Sequence, residues 1–131
     1  MMSHKLQKIE TEKAPEAIGP YSQAVSSGQI VFLSGQLPID PQTGKLIQGD
    51  IKAHTNQVLS NLEAVLKAAN LSFEHIARMD VFLKNLDDFA AMNEEIEKRL
   101  TQPVKPARQT IQAAKLPLDA IVEISCIAIR P

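Results

Sequence analysis

Apolar residues recur at helical spacing in two stretches of the chain. The first stretch follows Asp50, a residue suited to cap the start of a helix, and it ends near Asn70. Its apolar stripe consists of Val58, Leu62, Val65, Leu66 and Ala69. The second stretch begins near Asp87 or Asp88, and its stripe consists of Phe89, Met92, Ile96 and Leu100. The spacing therefore predicts two amphipathic helices, each with one apolar face.

Four other stretches have strand character. The segment KLQKIE (5–10) alternates weakly and predicts a short edge strand. The segment QIVFLSGQL (29–37) is a run of β-branched and aromatic residues, which predicts a buried strand ending at Gly35. Two further strands are predicted by IARMDVFLKN (76–85) and AIVEISCIAIR (120–130), and the last is the strongest in the chain.

Turn signals separate these elements. The segment EAIGPYSQAV (16–25) breaks at Gly19–Pro20, PIDPQTGKL (38–46) predicts a long hairpin or excursion, and QPVKPARQTIQAAKL (102–116) predicts a loop feeding an extended segment. The resulting order is β-β-α-β-α-β-β, with room for one more strand at the front. Two helices among five or six strands predict a single α+β domain over residues 1–131, with both helices on one face of a sheet.

The last predicted strand is mostly apolar on both of its faces. One face consists of Val122, Ile124, Cys126 and Ala128, and the other consists of Ile121, Glu123, Ser125, Ile127 and Ile129. Two helices cover only one face of a sheet, so the other face needs a second cover. We expect a partner subunit to provide it.

Charge and aromatic content argue against one class of partner. The 131 residues include 14 basic and 15 acidic side chains, which leaves a formal net charge of −1. Binding through nucleic-acid phosphates needs a basic patch, and stacking on bases needs aromatic side chains. The chain has four Phe, one Tyr and no Trp, so we expect no nucleic-acid partner.

Cysteine usage and hydropathy indicate a compartment. Cys126 is the single cysteine, which rules out an internal disulfide and suits a reducing environment. The N-terminal MMSHKLQKIETEK lacks the apolar core of a signal peptide, and no apolar stretch reaches the length of a membrane span. These features predict a cytoplasmic protein without a membrane partner.

Motifs for metal, cofactor and covalent chemistry are missing. The sequence contains no CxxC, HExxH, P-loop, GxGxxG or GxSxG motif. His4, His54 and His75 have no ligand spacing, and we expect each of them at the surface. Cys126 has no nearby histidine to activate it, which is typical of a core residue. We therefore expect no metal and no cofactor.

Two charged residues are candidates for chemistry. Glu123 stands between apolar neighbours in the last strand, where a buried carboxylate is costly unless it is paired. In a structural interpretation, Glu123 pairs with a lysine or lies at a strand edge. In a functional interpretation, it serves proton transfer or orients water. Arg108 follows a rigid Pro106–Ala107 pair, and it is either a solvated loop residue or an anchor for a carboxylate. Together they predict a site for a small anionic substrate whose reaction moves a proton.

Five segments, in register from about Ile9 to Arg130, resemble the RidA (YjgF) family of reactive intermediate deaminases, also called 2-iminobutanoate/2-iminopropanoate deaminases. The segments are APEAIGPYSQAV (14–25), FLSGQLPIDPQTGKL (32–46), VFLKNLDDFAAMNE (81–94), PARQTIQAAKLP (106–117) and VEISCIAIR (122–130). The resemblance implies a chorismate-mutase-like α+β fold, assembled as a homotrimer with ligand clefts between subunits.

The resemblance also implies roles for particular residues. Arg108 would hold the substrate carboxylate, and Glu123 would position or activate water. The same cleft would be lined by Tyr21, Ser34, Gly35, Asn93 and Thr110. Three positions depart from the common family pattern: Thr110 replaces a frequent cysteine, Lys105 a frequent aromatic residue and Ser125 a frequent acidic residue. These departures could alter substrate preference.

The activity implied by the resemblance is hydrolysis of 2-imino acids and their enamine tautomers to 2-oxo acids and ammonia, without metal or cofactor. Expected substrates are 2-aminoacrylate, 2-iminopropanoate and 2-iminobutanoate. Three alternatives stay open: a sensor or chaperone-like trimer that binds 2-oxo acids without turnover, a ribonuclease or translation inhibitor, and a chorismate mutase suggested by fold analogy alone.

Overall fold

The computed structural model describes residues 5–131, so the prediction for His4 lies outside the described residues. The helices are α1 (Ile51–Ala68) and α2 (Phe89–Arg99). The strands are β1 (Gln7–Ile9), β2 (Ala24–Ser27), β3 (Ile30–Gln36), β4 (Ile39–Asp40), β5 (Lys45–Leu46), β6 (Ile76–Leu83), β7 (Ala107–Gln112) and β8 (Val122–Ile129).

Six strands form one mixed sheet in the order β1-β2-β3-β8-β6-β7, and the short β4–β5 hairpin stands apart from it. Every pair in the large sheet is antiparallel except β6 with β7, which is parallel. Both helices pack together, and α1 packs on β3 and β8. The predicted α+β class and element order are confirmed, including the additional strand at the front.

Helix α1 has the boundaries that its sequence predicts. The Asp50 carboxylate accepts a hydrogen bond from the Ala53 amide at 2.9 Å and caps the first turn. At the other end Asn70 has a φ of 61°, and the Leu71 amide donates to the Leu66 carbonyl at 2.8 Å. All five residues of the predicted stripe are buried.

Helix α2 differs from its prediction at the first turn. A short 3₁₀ turn (Leu86–Asp88) precedes it, and the Asn85 side chain caps that turn by accepting from the Asp87 amide at 2.9 Å. Three of the predicted apolar residues are buried, but Phe89 is 40% exposed. Phe89 is the first residue of the helix. Its ring contacts the guanidinium of Arg108.

The sheet alternates between a covered and an uncovered face. Of the two faces of β8, the one with Val122, Ile124, Cys126 and Ala128 is buried beneath the helices. Strand β3 was predicted to be buried throughout and to end at Gly35, but it ends at Gln36, and Ile30 and Phe32 are 40% and 42% exposed. The helices cover only one side of the sheet, so β3 buries alternate residues. We call the uncovered side the open face; it carries Ile30, Phe32, Phe82, Ile111, Ile127 and Ile129.

The surface position predicted for His54 is wrong. His54 is 9% exposed, and its Nδ1 has no hydrogen-bond partner among residues 5–131. Helix α1 contacts α2 and β4 as well as the sheet, so its buried arc is wider than its apolar stripe. Burial lowers the pKa of His54 despite the nearby Asp50 carboxylate. His75 is partly exposed, and its Nδ1 accepts a hydrogen bond from the Ser72 amide at 3.0 Å.

Across residues 5–131, neither helix combines the length and the hydropathy needed to cross a membrane.

Candidate functional site

A bulge in β3 brings the backbone against Glu123. Leu33 pairs with Cys126 and Gln36 pairs with Ile124, so three steps along β3 match two steps along β8. The additional residue falls within Ser34–Gly35 and bends the strand locally. A β-carbon on Gly35 would lie 2.6 Å from the Glu123 Oε2 atom. Glycine therefore allows the carboxylate to lie directly against the strand.

Glu123 is half-buried and has neither a hydrogen bond nor an ion pair to any residue from 5 to 131. Burial raises the pKa of its carboxyl above the ordinary value of 4.5. Of the two structural interpretations of this residue, pairing with a lysine is not observed among residues 5–131. Such a carboxylate has free lone pairs and an increased proton affinity, both of which suit a general base.

A cavity of about 530 Å³ opens beside this carboxylate, and we call it the Glu123 cleft. Four residues predicted for the site line it, namely Tyr21, Ser34, Gly35 and Glu123. The Ser34 hydroxyl donates to the Ser22 carbonyl at 2.6 Å, which fixes its orientation. The cleft also has apolar walls formed by Ile18, Leu37, Ile39 and Leu118.

Two buried amide side chains support the walls of the Glu123 cleft, and sequence reasoning missed both. Asn61, on α1, donates from Nδ2 to the Leu37 carbonyl at 3.0 Å and to the Ile39 carbonyl at 2.9 Å. Gln23 donates from Nε2 to the Pro15 carbonyl at 2.8 Å. The bonds of Asn61 join segments more than twenty residues apart, so no local pattern could have identified them.

Leu118 stands at the rim of the cleft in an uncommon backbone conformation. Leu118 and Asp119 have φ values of 57° and 56°, which are unfavourable for residues with a β-carbon. Leu118 is also 58% exposed. The backbone therefore holds an apolar side chain outward at the rim of the Glu123 cleft.

Arg108 lines a second and smaller cavity of about 270 Å³, which we call the Arg108 cavity. Asn93 lines the same cavity, together with Glu97, Lys105 and Leu100. The Arg108 guanidinium carbon lies 5.5 Å from the centre of the Phe89 ring, and within residues 5–131 the side chain has no hydrogen bond or ion pair. Partial burial lowers the pKa of Arg108 from its ordinary value, yet a guanidinium remains charged at neutral pH.

Thr110 follows Arg108 on the same side of β7. Its hydroxyl oxygen is buried and has no hydrogen-bond partner among the described residues. Strand β7 is at the edge of the sheet, so its outer backbone groups have no neighbouring strand within residues 5–131. Thr110 is not among the residues that line the Arg108 cavity, but its unpaired hydroxyl lies two residues along β7 from Arg108.

Arg108 and Glu123 lie on opposite faces of the sheet. Arg108 pairs with Met79, which is fully buried on the helix side. Glu123 pairs with Phe82, which points to the open face. Side chains alternate along a strand, so the two candidates project in opposite directions. A single chain does not bring the predicted residues together. Tyr21, Ser34, Gly35 and Glu123 line one cavity, Arg108 and Asn93 line another, and Thr110 lines neither.

The residues described, 5–131, contain no cluster of three or more His, Cys, Asp or Glu side chains with metal-binding geometry. Cys126 is buried, and burial raises the pKa of its thiol to about 12. It is therefore a core residue rather than a nucleophile.

Comparison with known proteins gives consistent matches over nearly the whole chain. A family model described as Endoribonuclease L-PSP matches residues 11–130. A RutC family protein of Pyrococcus horikoshii is 46% identical over 122 residues, covering 93% of this chain and 96% of the relative. The chloroplastic Reactive Intermediate Deaminase A of Arabidopsis thaliana is 44% identical over 126 residues, covering 96% of this chain and 67% of the relative.

The solved structures agree in fold. RidA from an Antarctic Psychrobacter species superposes with a TM-score of 0.90 at 44% identity, covering 94% of this chain and 98% of that one. Two helices on a mixed sheet are therefore the fold expected of this group of proteins.

Proposed function

The chain belongs to the YjgF/RidA family, and from that membership we propose that it hydrolyses 2-imino acids and their enamine tautomers to 2-oxo acids and ammonia. The proposed substrates are 2-aminoacrylate, 2-iminopropanoate and 2-iminobutanoate. One observation carries the proposal: Arg108 is a cation at a small cavity, and no acidic group of the described chain pairs with it. Guanidinium is well matched to a substrate carboxylate.

We propose that the working assembly is a homotrimer with clefts between subunits. The open face supports an assembly because it exposes a patch of Ile and Phe side chains that one chain leaves uncovered. The opposite orientations of Arg108 and Glu123 support clefts between subunits, because one chain cannot present both to one ligand. One subunit would supply Arg108, Asn93 and Thr110, and its neighbour would supply Tyr21, Ser34, Gly35 and Glu123.

In the proposed reaction, Arg108 binds the carboxylate and orients the C2 atom of the substrate. Water attacks C2 of the protonated imine while Glu123 accepts one proton from that water. Glu123 returns the proton to the nitrogen of the carbinolamine, which leaves as ammonia while the hydroxyl proton is released and the 2-oxo acid forms. The raised pKa of Glu123 supports this role, since the carboxylate must take up and release a proton. Positioning and electrostatics would supply most of the acceleration.

The test traps imines produced by an L-amino acid oxidase with semicarbazide, in the presence of the protein. The wild type should lower the yield of semicarbazone, because the imine is hydrolysed first. Arg108→Ala should lose kcat/KM by about a hundredfold, the effect of a lost charge-assisted contact. Equal yields of semicarbazone with the wild type and without protein would contradict the proposal.

A second candidate function is binding of 2-oxo acids without turnover. The same unpaired Arg108 favours it, because a site for 2-oxobutanoate closely resembles a site for its imine. The two functions separate in the trapping experiment when binding is measured in parallel. A wild type that binds 2-oxobutanoate and leaves the yield of semicarbazone unchanged is a binding protein.

A further inference from the structure

We infer that Lys105 is a positioning residue for Arg108, because its ammonium ties the loop between α2 and β7 to the end of α2. This inference rests on the proposed function, in which Arg108 binds the substrate carboxylate. Lys105 and Arg108 line the same cavity and are three residues apart. Lys105 is therefore close enough to determine how Arg108 enters that cavity.

The loop that leads from α2 to Arg108 on β7 has little support from its own backbone. In the part of the chain that the structure describes, residues 101–105 make no backbone-to-backbone hydrogen bond. Pro103 and Pro106 lack amide hydrogens, so neither can donate one. Two side chains tie the loop instead. Gln102 donates from Nε2 to the Phe73 carbonyl at 2.8 Å, and Lys105 makes the remaining contacts.

Lys105 connects the loop to the buried residue Leu100. Its Nζ donates to the Leu100 carbonyl at 2.6 Å and to the Gln102 carbonyl at 2.8 Å. Leu100 follows the last residue of α2 as its C-cap, with non-helical φ and ψ values of −98° and 87°, and it is only 2% exposed. Carbonyls at a helix C-terminus lack helical partners and favour a cation. The ammonium therefore binds where the helix leaves acceptors free.

The contacts of Lys105 with the Leu100 and Gln102 carbonyls act close to Arg108 in the sequence. Pro106 restricts the backbone of Lys105 and fixes its own φ, and Ala107 is the first residue of β7. Ala107 and Arg108 are paired with β6, and only Pro106 lies between Lys105 and this paired strand, so the contacts of Lys105 restrict the chain where it enters β7. Without the ammonium, Gln102 alone would hold residues 101–105, and the guanidinium would occupy a wider range of orientations.

Binding of 2-oxobutanoate tests this inference without requiring turnover. Affinities are measured by NMR titration, which is suited to weak binding. The proteins are the wild type, Lys105→Met, Lys105→Arg, Arg108→Ala and the double variant Lys105→Met/Arg108→Ala. Lys98→Met is the matched control, because Lys98 lies in the last turn of α2, pairs with Glu95 and is not among the residues of the Arg108 cavity.

Lys105→Met should weaken binding by about tenfold, comparable with one charge-assisted hydrogen bond. Lys105→Arg should recover most of the affinity, since its guanidinium can donate to the same carbonyls. Lys98→Met should bind as the wild type does. In the Arg108→Ala background, Lys105→Met should cause no further loss, because Lys105 acts through Arg108.

Several results would overturn the inference. Wild-type affinity in Lys105→Met would show that the tie is not needed, and an equal loss in both backgrounds would show that Lys105 acts independently of Arg108. Altered elution of Lys105→Met in size-exclusion chromatography would indicate a role in assembly instead. If Arg108→Ala itself binds like the wild type, the proposed anchor is wrong and the inference falls with it. If only Arg108→Ala loses affinity, the inference alone fails.

Discussion

Glu123 shows how stability and chemistry conflict at a single residue. Its carboxylate is half-buried against Gly35 and has no partner among the described residues, so its charged form is disfavoured in the folded protein. An acid with a raised pKa contributes stability when protonated. This contribution is complete at pH values below 4.5, the pKa of the carboxyl in the unfolded chain. It is lost as the pH rises through the higher pKa of the folded protein. At neutral pH the residue therefore lowers the free energy of unfolding while serving as the proposed base.

Replacing this carboxylate should separate the two effects. Glu123→Gln should raise the midpoint of thermal unfolding at pH 7, because the amide carries no charge into the half-buried position. The difference from the wild type should shrink as the pH approaches 4, where the wild-type carboxyl is also neutral. In the trapping assay the same variant should lower kcat more than it raises KM. A lower midpoint at pH 7 would mean that the carboxylate makes a stabilising contact in the assembly.

At the scale of elements, α1 connects the hydrophobic core to the Glu123 cleft. One side of the helix carries the predicted apolar stripe. Asn61, also on α1, donates hydrogen bonds to the backbone carbonyls of Leu37 and Ile39. Asn61 is 1% exposed, and its Oδ1 accepts from the Gln57 side chain at 2.9 Å. The helix therefore determines the position of a cleft wall as well as burying apolar surface.

Asn61→Ala should lower the free energy of unfolding by roughly 2 kcal/mol, because both bonds to the backbone and the bond from Gln57 are lost. Urea unfolding measures this change, and the trapping assay should show reduced activity as the segment around Leu37 shifts. Gln57→Ala is the matched control, since it removes only the bond to the Asn61 side chain and keeps both bonds to the backbone. Equal losses of stability in the two variants would contradict a specific role for Asn61.

At the scale of the whole molecule, the sheet separates the two groups of candidate residues. Arg108 faces the helix side, whereas Glu123 faces the open side. The proposed trimer would bring one group from each of two neighbouring chains into a shared cleft. Two variants that are each inactive could then complement one another, which a site within one chain does not allow.

Unfolding and refolding an equal mixture of Arg108→Ala and Glu123→Gln should restore activity. A working cleft needs the intact Arg108 of one subunit and the intact Glu123 of its neighbour, so random assembly leaves about a quarter of the clefts functional. The trapping assay on the mixture, compared with each variant refolded alone, measures the recovery. No recovery, despite mixed assemblies detected by native mass spectrometry, would place both residues in one chain.

Local patterns in the sequence determined the elements of this protein. The Asp50 cap, the stripe of α1 and the alternation of β8 depend on neighbours within a few residues, so spacing alone predicted them. Arg108 and Glu123 were identified for the same reason, because each is unusual in its immediate context. The burial of His54 and the exposure of Phe89 were missed, since both depend on which elements pack against those residues.

The tertiary structure alone decided how the candidate residues are arranged. The bulge at Ser34–Gly35, the bonds of Asn61 and the separation of Arg108 from Glu123 all depend on pairing between segments far apart in the chain. The tie from Lys105 to Leu100 spans only five residues, but it forms because α2 ends where its carbonyl is free. Residue types and spacing determine which elements form, whereas contacts between elements determine which side chains meet.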